Sequence, residues 1–205
     1  MSKKTKNARG VLLGVALLWA GGIIVGSYLM LQHEFNTGAS YSAPSELPEA
    51  LQGYRHADRP YLLVLSLHPE CACTRATLEQ IERLLAKNPD SIQIIALYSD
   101  FSSPDESVVS VGQSYRETLQ SLPATTVLSD PDGTLASRLG AALSGSIAFY
   151  DEKNQLRFEG GITASRGHSG SSVGLSDLER IARALEPREI CSTPVFGCSL
   201  EDPQS

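Results

Sequence analysis

Cys71 and Cys73 stand one residue apart, directly after an apolar run, Tyr61-Leu62-Leu63-Val64-Leu65-Ser66-Leu67, that His68-Pro69-Glu70 interrupts. From Thr74 onward, Leu78, Ile81, Leu84 and Leu85 recur at helical spacing. A strand that ends in a short turn carrying two thiols at a helix start is a place where disulfides are made and broken. The unpaired N–H groups and the dipole of a helix N-terminus favour the thiolate, which lowers a cysteine's pKa and supplies a nucleophile. With one residue between them, Cys71 and Cys73 would close a tighter ring than a Cys-x-x-Cys disulfide, and strain makes a disulfide more easily reduced. His68, three residues before Cys71, has the chemistry to steady a thiolate as imidazolium, take its proton, or bind metal as the neutral ring. A solvated loop histidine is the plainer alternative.

Two further segments carry reactive groups. Gly160 to Gly170 is long and glycine-rich and contains Arg166 and His168; loops of this length are usually either functional or disordered. Arg166 suits an anion or a thiolate, and His168 suits sulfur or metal. The segment lacks the Gly-Lys-Ser/Thr of a phosphate loop. Near the C-terminus, Cys191 and Cys198 are separated by six residues that include Pro194 and Gly197. The first expectation for this pair is a small structural disulfide loop. The alternative is a tail cysteine that acts as a resolving thiol for Cys71 or Cys73, with Val195-Phe196 as the apolar anchor that docks the tail. Four cysteines allow three connectivities, and spacing alone does not choose among them.

The elements that must position these groups follow from periodicity and punctuation. Strands are expected at 61–67, 92–98 and 125–128, with helices at 74–87, near 108–121 and at 135–139. Asp130-Pro131-Asp132-Gly133 is a strong turn signal. Residues 146–150 and 155–159 flank Asp151-Glu152-Lys153-Asn154 as a hairpin. Ser176 is the expected cap of a last helix running to about Glu186. Ahead of all this, Lys3, Lys4, Lys6 and Arg9 precede Gly10 to Gln32, 23 residues without a charge. Roughly 20 apolar residues cross a bilayer, and a cleaved signal has a shorter apolar region ending in small residues. Gly38-Ala39-Ser40 resembles a cleavage site but lies past the apolar segment, so an uncleaved anchor is expected. The basic flank keeps the N-terminus cytoplasmic. The chain is thereby divided into a basic flank (1–9), a single transmembrane helix (10–32), a linker (33–58), a globular domain (59–186) and a tail (187–205). A hydrophobic share of 41% supports one core, and a net charge of −6 with no basic stripe beyond residue 9 excludes nucleic acid as the expected partner.

Residues 58–186 resemble the thioredoxin and peroxiredoxin superfamily in its membrane-anchored, extracytoplasmic style. The resemblance rests on the strand–cysteine–helix junction at 61–85 and on residues 128–156, Leu-Ser-Asp-Pro-Asp-Gly-Thr-Leu-Ala-Ser-Arg-Leu-Gly-Ala through Ile-Ala-Phe-Tyr-Asp-Glu-Lys-Asn-Gln-Leu. It implies an α/β fold, a three-layer α/β/α sandwich preceded by one transmembrane helix and followed by a cysteine-containing tail. Thr74 stands where the family's resolving cysteine would be. Ser144-Gly145-Ser146 stands where the family has its cis-proline, so a trans backbone is expected there. His68 replaces the peroxiredoxin threonine, and peroxidase chemistry is not expected. The resemblance implies a thiol–disulfide oxidoreductase on the periplasmic side of the cell membrane, acting on protein thiols and disulfides through Cys71, Cys73 and His68, without a cofactor. Thioredoxin-fold copper-delivery proteins imply the alternative, a copper(I) site built from Cys71, Cys73 and His168. A third reading is a protein-binding domain with little catalysis. Oligomeric state is not legible.

Overall fold

The computed structural model describes residues 3–35, 42–69, 71–99, 106–184 and 189–200. The chain forms two compact units, residues 1–36 and 37–205. The first contains a single helix, α1 (Lys3–Phe35). Its stretch Gly10–Phe35 is long and apolar enough to cross a membrane and is nowhere buried against protein. At 1.5 Å per residue those 26 residues reach about 39 Å, more than the roughly 30 Å of a hydrocarbon core. The Gly38-Ala39-Ser40 stretch, residues 100–105 and the expected helix end near Glu186 lie outside the described residues.

The second unit runs α2 (Glu49–Gln52), β1 (Tyr61–Leu67), α3 (Ala72–Lys87), β2 (Ile92–Tyr98), α4 (Glu106–Ser121), β3 (Thr125–Ser129), α5 (Thr134–Arg138), β4 (Ser146–Tyr150), β5 (Leu156–Gly160), α6 (Val173–Ala182) and β6 (Cys191–Ser192). The sheet order is β3-β2-β1-β4-β5-β6. β1, β2 and β3 pair in parallel, while β4 pairs antiparallel with both β1 and β5. This is the thioredoxin-like arrangement that the order of elements predicts.

β1, β2 and β4 are buried on both faces, so each reads as a nearly continuous apolar run whose alternate residues serve different cores. Leu63, Leu65, Leu67, Ile94, Ala96, Ile147 and Phe149 face α3, α4 and α6, where Ile81, Leu84, Leu119 and Leu178 are fully buried. Leu62, Val64, Ile95, Leu97, Ala148 and Tyr150 face α2, α5 and the chain ends, against Leu47, Leu51, Ala136, Leu139 and Leu200. A register shift between Phe149 and Tyr150 inserts Arg157, so Leu156 and Phe158 reach opposite cores.

Three differences from the sequence expectation have clear causes. Residues 42–58 are not a loose linker. Leu47 and Leu51 are each 1% exposed, Glu46 pairs with Gln155, and the Ala43 amide donates to the Glu159 carboxylate at 2.7 Å. Apolar positions four apart outweighed the prolines around them. The last helix starts earlier than expected because Ser172, not Ser176, caps it, its hydroxyl accepting from the Leu175 amide at 3.1 Å. The tail carries a strand, β6, which adds to β5. Gly160 makes that approach possible: its φ is +127°, and a Cβ there would meet the Thr193 carbonyl.

Candidate functional site

β1 ends at Leu67, and Cys71 is the N-cap of α3 in extended conformation, its carbonyl accepting from the Thr74 amide at 2.9 Å. The helix therefore begins two residues before Thr74 and takes Cys73 into its first turn. Thr74 itself is fully buried, and its hydroxyl donates to the His68 carbonyl at 2.8 Å and lies 3.2 Å from the Ser144 hydroxyl. The same Ser144 hydroxyl accepts from the His68 amide at 3.2 Å. Thr74 and Ser144 thus fix the turn that carries His68. No cis peptide occurs among the described residues.

The tail completes the site. The Cys198 carbonyl accepts from the Ser144 amide at 2.9 Å, and the Cys198 amide donates to the Cys71 sulfur at 3.4 Å. The two sulfurs and a ring nitrogen of His68 all lie within 4.8 Å of one another. His68 is fully buried, Cys71 is 1% exposed, Cys73 is 2% exposed, and Cys198 is half-buried.

The three thiols near the helix start are not equivalent. The Cys198 and Cys73 thiols, and the backbone N–H groups of the same two residues, stabilise charge on the Cys71 sulfur and hold its pKa far below the ordinary thiol value, against the opposing effect of burial. Donation to Cys71, together with burial, pushes Cys73 and Cys198 up. The Arg166 guanidinium beside Cys198 counters part of that rise. Cys71 is therefore the sulfur on which the surrounding donors converge, the Cys198 amide among them.

The glycine-rich loop folds over the helix start. The Gly167 amide is directed at the Cys73 sulfur, and a Cβ on Gly167 would touch Ala72 at 3.8 Å. Gln80 and Glu79 of α3 tie the loop down through the Gly170 carbonyl and the Ser169 hydroxyl. Of the two loop residues singled out in the sequence, Arg166 reaches sulfur. His168 is exposed, with Nδ1 2.7 Å from the Arg166 carbonyl.

Two expectations need correction. No disulfide joins any of the four cysteines, so the expected Cys191–Cys198 loop is not formed. Cys191 belongs to β6 and packs against the α3–α6 core, while backbone pairing carries Cys198 onward to Cys71. The donor set that comes together is His68, Cys71 and Cys198, not Cys71, Cys73 and His168. The reason is that the loop turns His168 to solvent and the tail brings a sulfur instead. Sequence reading missed Ser144 and Thr74 as hydroxyl supports, and their signal was weak because both residue types are common in turns.

No protein-family model matches the chain. No curated protein matches it in sequence. Among solved structures, a hypothetical protein from Sinorhizobium meliloti 1021 is similar over 82% of this chain and 97% of its own, at 20% identity and a TM-score of 0.57. An uncharacterized conserved protein from Geobacillus kaustophilus is similar over 84% of this chain and 96% of its own, at 17% identity and a TM-score of 0.56. A looser overlay, TM-score 0.42 at 17% identity over 72% of this chain and 96% of the other, is with a secreted Mycobacterium tuberculosis disulfide oxidoreductase described as homologous to E. coli DsbE. The fold of this chain is thioredoxin-like.

Proposed function

We propose that the chain is a thiol–disulfide oxidoreductase, tethered by α1 to a membrane with its globular domain outside the cytoplasm, where disulfides persist. The observation that carries this reading is the Cys71 sulfur at the N-cap of α3, with the amide and thiol of Cys198 directed at it. The Cys71 thiolate attacks one sulfur of a protein disulfide, forms a mixed disulfide and releases the other sulfur as thiolate. Cys198, once deprotonated with Arg166 beside it, attacks the Cys71 sulfur of that mixed disulfide and releases the second substrate thiolate. The substrate disulfide gains two electrons, and the protein is left with a Cys71–Cys198 disulfide that an external dithiol must reduce. Cys73 serves as a donor to Cys71, because a resolving bond across one intervening residue is the more strained closure.

The test is exchange with a disulfide-linked peptide, followed by mass spectrometry. Cys71→Ser should abolish adduct formation. Cys198→Ala should accumulate a mixed disulfide at Cys71, and Cys73→Ala should still turn over. Full turnover by Cys71→Ser sinks the reading.

The grouping of His68, Cys71 and Cys198 favours a second reading, a soft-metal site. Two thiolates and an imidazole suit copper(I), with zinc as competitor. Arg166 offsets the net negative charge of such a centre. Copper(I) titration should weaken in Cys198→Ala and be unchanged in His168→Ala.

A further inference from the structure

Two hydroxyls and one buried residue's backbone close a ring of hydrogen bonds between the start of α3 and the tail. The Thr74 hydroxyl donates to the His68 carbonyl at 2.8 Å, so its single proton is committed there. The Thr74 and Ser144 hydroxyl oxygens are 3.2 Å apart, and Ser144 must therefore be the donor between them. Ser144 Oγ in turn accepts from the His68 amide at 3.2 Å, which returns the series to the residue where it began. His68, Thr74 and Ser144 are all fully buried. Each hydroxyl gives one bond and takes one, and bonds that run in one direction through a buried site strengthen one another. The backbone of the same two residues reaches the reactive cysteines. The Thr74 amide donates to the Cys71 carbonyl at 2.9 Å, and the Ser144 amide donates to the Cys198 carbonyl at 2.9 Å. The Gly145 amide pins this end of the arrangement to the Ser66 carbonyl of β1 at 2.8 Å.

We infer that the Thr74–Ser144 hydroxyl pair positions Cys198 for its resolving attack on Cys71, a role that rests on the thiol-exchange reading. In that step the Cys198 thiolate attacks the Cys71 sulfur in line with its bond to the substrate. The Cys71–Cys198 bond forms, and the substrate sulfur leaves as thiolate with the electron pair. Such a displacement depends on how closely the two sulfurs of one chain are held to the attacking line. The ring joins the turn that carries Cys71 to the rung that carries Cys198, so it sets that relation. The first attack, on a disulfide that diffuses in, makes no such demand on the tail. Thr74 stands at the third residue after Cys71, the place of a second thiol in a Cys-x-x-Cys pair. Here that place holds a hydroxyl that braces the tail, and the tail delivers the second sulfur.

The experiment follows one round of exchange between the full chain in detergent micelles and a disulfide-linked peptide, quenched with acid and read by mass spectrometry. Appearance of the adduct at Cys71 reports attack, and its loss reports resolution by Cys198. Thr74→Val keeps the shape of the side chain and removes the hydroxyl. It should slow resolution at least about tenfold while attack changes less than about twofold. Ser144→Ala should slow the same step. Thr74→Ser, which keeps the hydroxyl, should resolve within about twofold of wild type, a rescue that a role in packing alone would not give. Resolution at the wild-type rate in a cooperatively folded Thr74→Val overturns the proposal. Equal slowing by Thr74→Ser and Thr74→Val, or equal slowing of attack and resolution, also overturns it. A wild type that forms no adduct at Cys71 overturns the exchange reading and the proposal with it, so the two failures are told apart. If the hydroxyl-free variants do not unfold cooperatively, hydrogen exchange of wild type decides. The His68 and Ser144 amides should then exchange within about threefold of each other, as parts of one unit. A His68 amide that exchanges more than about tenfold faster overturns the proposal.

Discussion

Opposite pKa shifts at Cys71 and at its two sulfur neighbours make the stability of the reduced protein depend on pH in two opposite ways. Cys71 titrates lower when folded than when unfolded, so its contribution is complete above the free-thiol value of about 8.5 and is lost as pH falls below it. Cys73 and Cys198 titrate higher when folded, so their contribution is complete below about 8.5 and is lost as pH rises above it. The stability difference between reduced wild type and Cys71→Ser should therefore peak near that pH and decline on both sides. Denaturant unfolding across the range measures it, and a flat difference contradicts the assignment. Thiolate ultraviolet absorbance should likewise persist in wild type well below pH 8.5 and retreat toward it in Cys198→Ala.

At the scale of elements, the turn at 130–133 shows how a short helix is set by a single buried carboxylate. Asp130 is 2% exposed and accepts from the Leu135 and Ala136 amides at 3.0 and 2.9 Å, the open end of α5. Asp130→Ala leaves two inward-facing donors without an acceptor and should cost about 1–3 kcal/mol, measured as a shift of the denaturation midpoint with unchanged cooperativity. That turn was legible in the sequence, as were β1, β2, β4 and α3, because their apolar runs and breakers are local signals. β6 was not legible, because Cys191-Ser192 is two residues long and forms only where the backbone of Gly160 leaves space. The pairing of Cys198 with Cys71 spans 127 residues, and no periodicity reports contact at that separation. The cysteine-bearing helix start was visible from spacing. Which cysteine from the tail would meet it was decided by the rungs at Ala142 and Ser144.

At the scale of the whole molecule, the two units predict separable behaviour. The full chain should remain with membranes after alkaline carbonate extraction, whereas a chain lacking residues 1–36 should stay in the supernatant with an unchanged far-ultraviolet spectrum. Recovery of the full chain in the soluble fraction contradicts a membrane role for α1. The end of the sheet has a consequence of its own. On the side away from β4, β5 is met at its start by the Ser45 carbonyl, which accepts from the Leu156 amide at 2.9 Å, and at its end by a two-residue strand, after which the Thr193 amide donates to the Glu159 carbonyl at 3.1 Å. The backbone that shields the sheet's margin is therefore the same backbone that shuts the thiolate away. A molecule that lifts this segment also bares a ladder to which foreign strands stick. Readiness to react and tendency to clump should rise together, so turbidity of concentrated samples is a cheap gauge of how often the segment lets go.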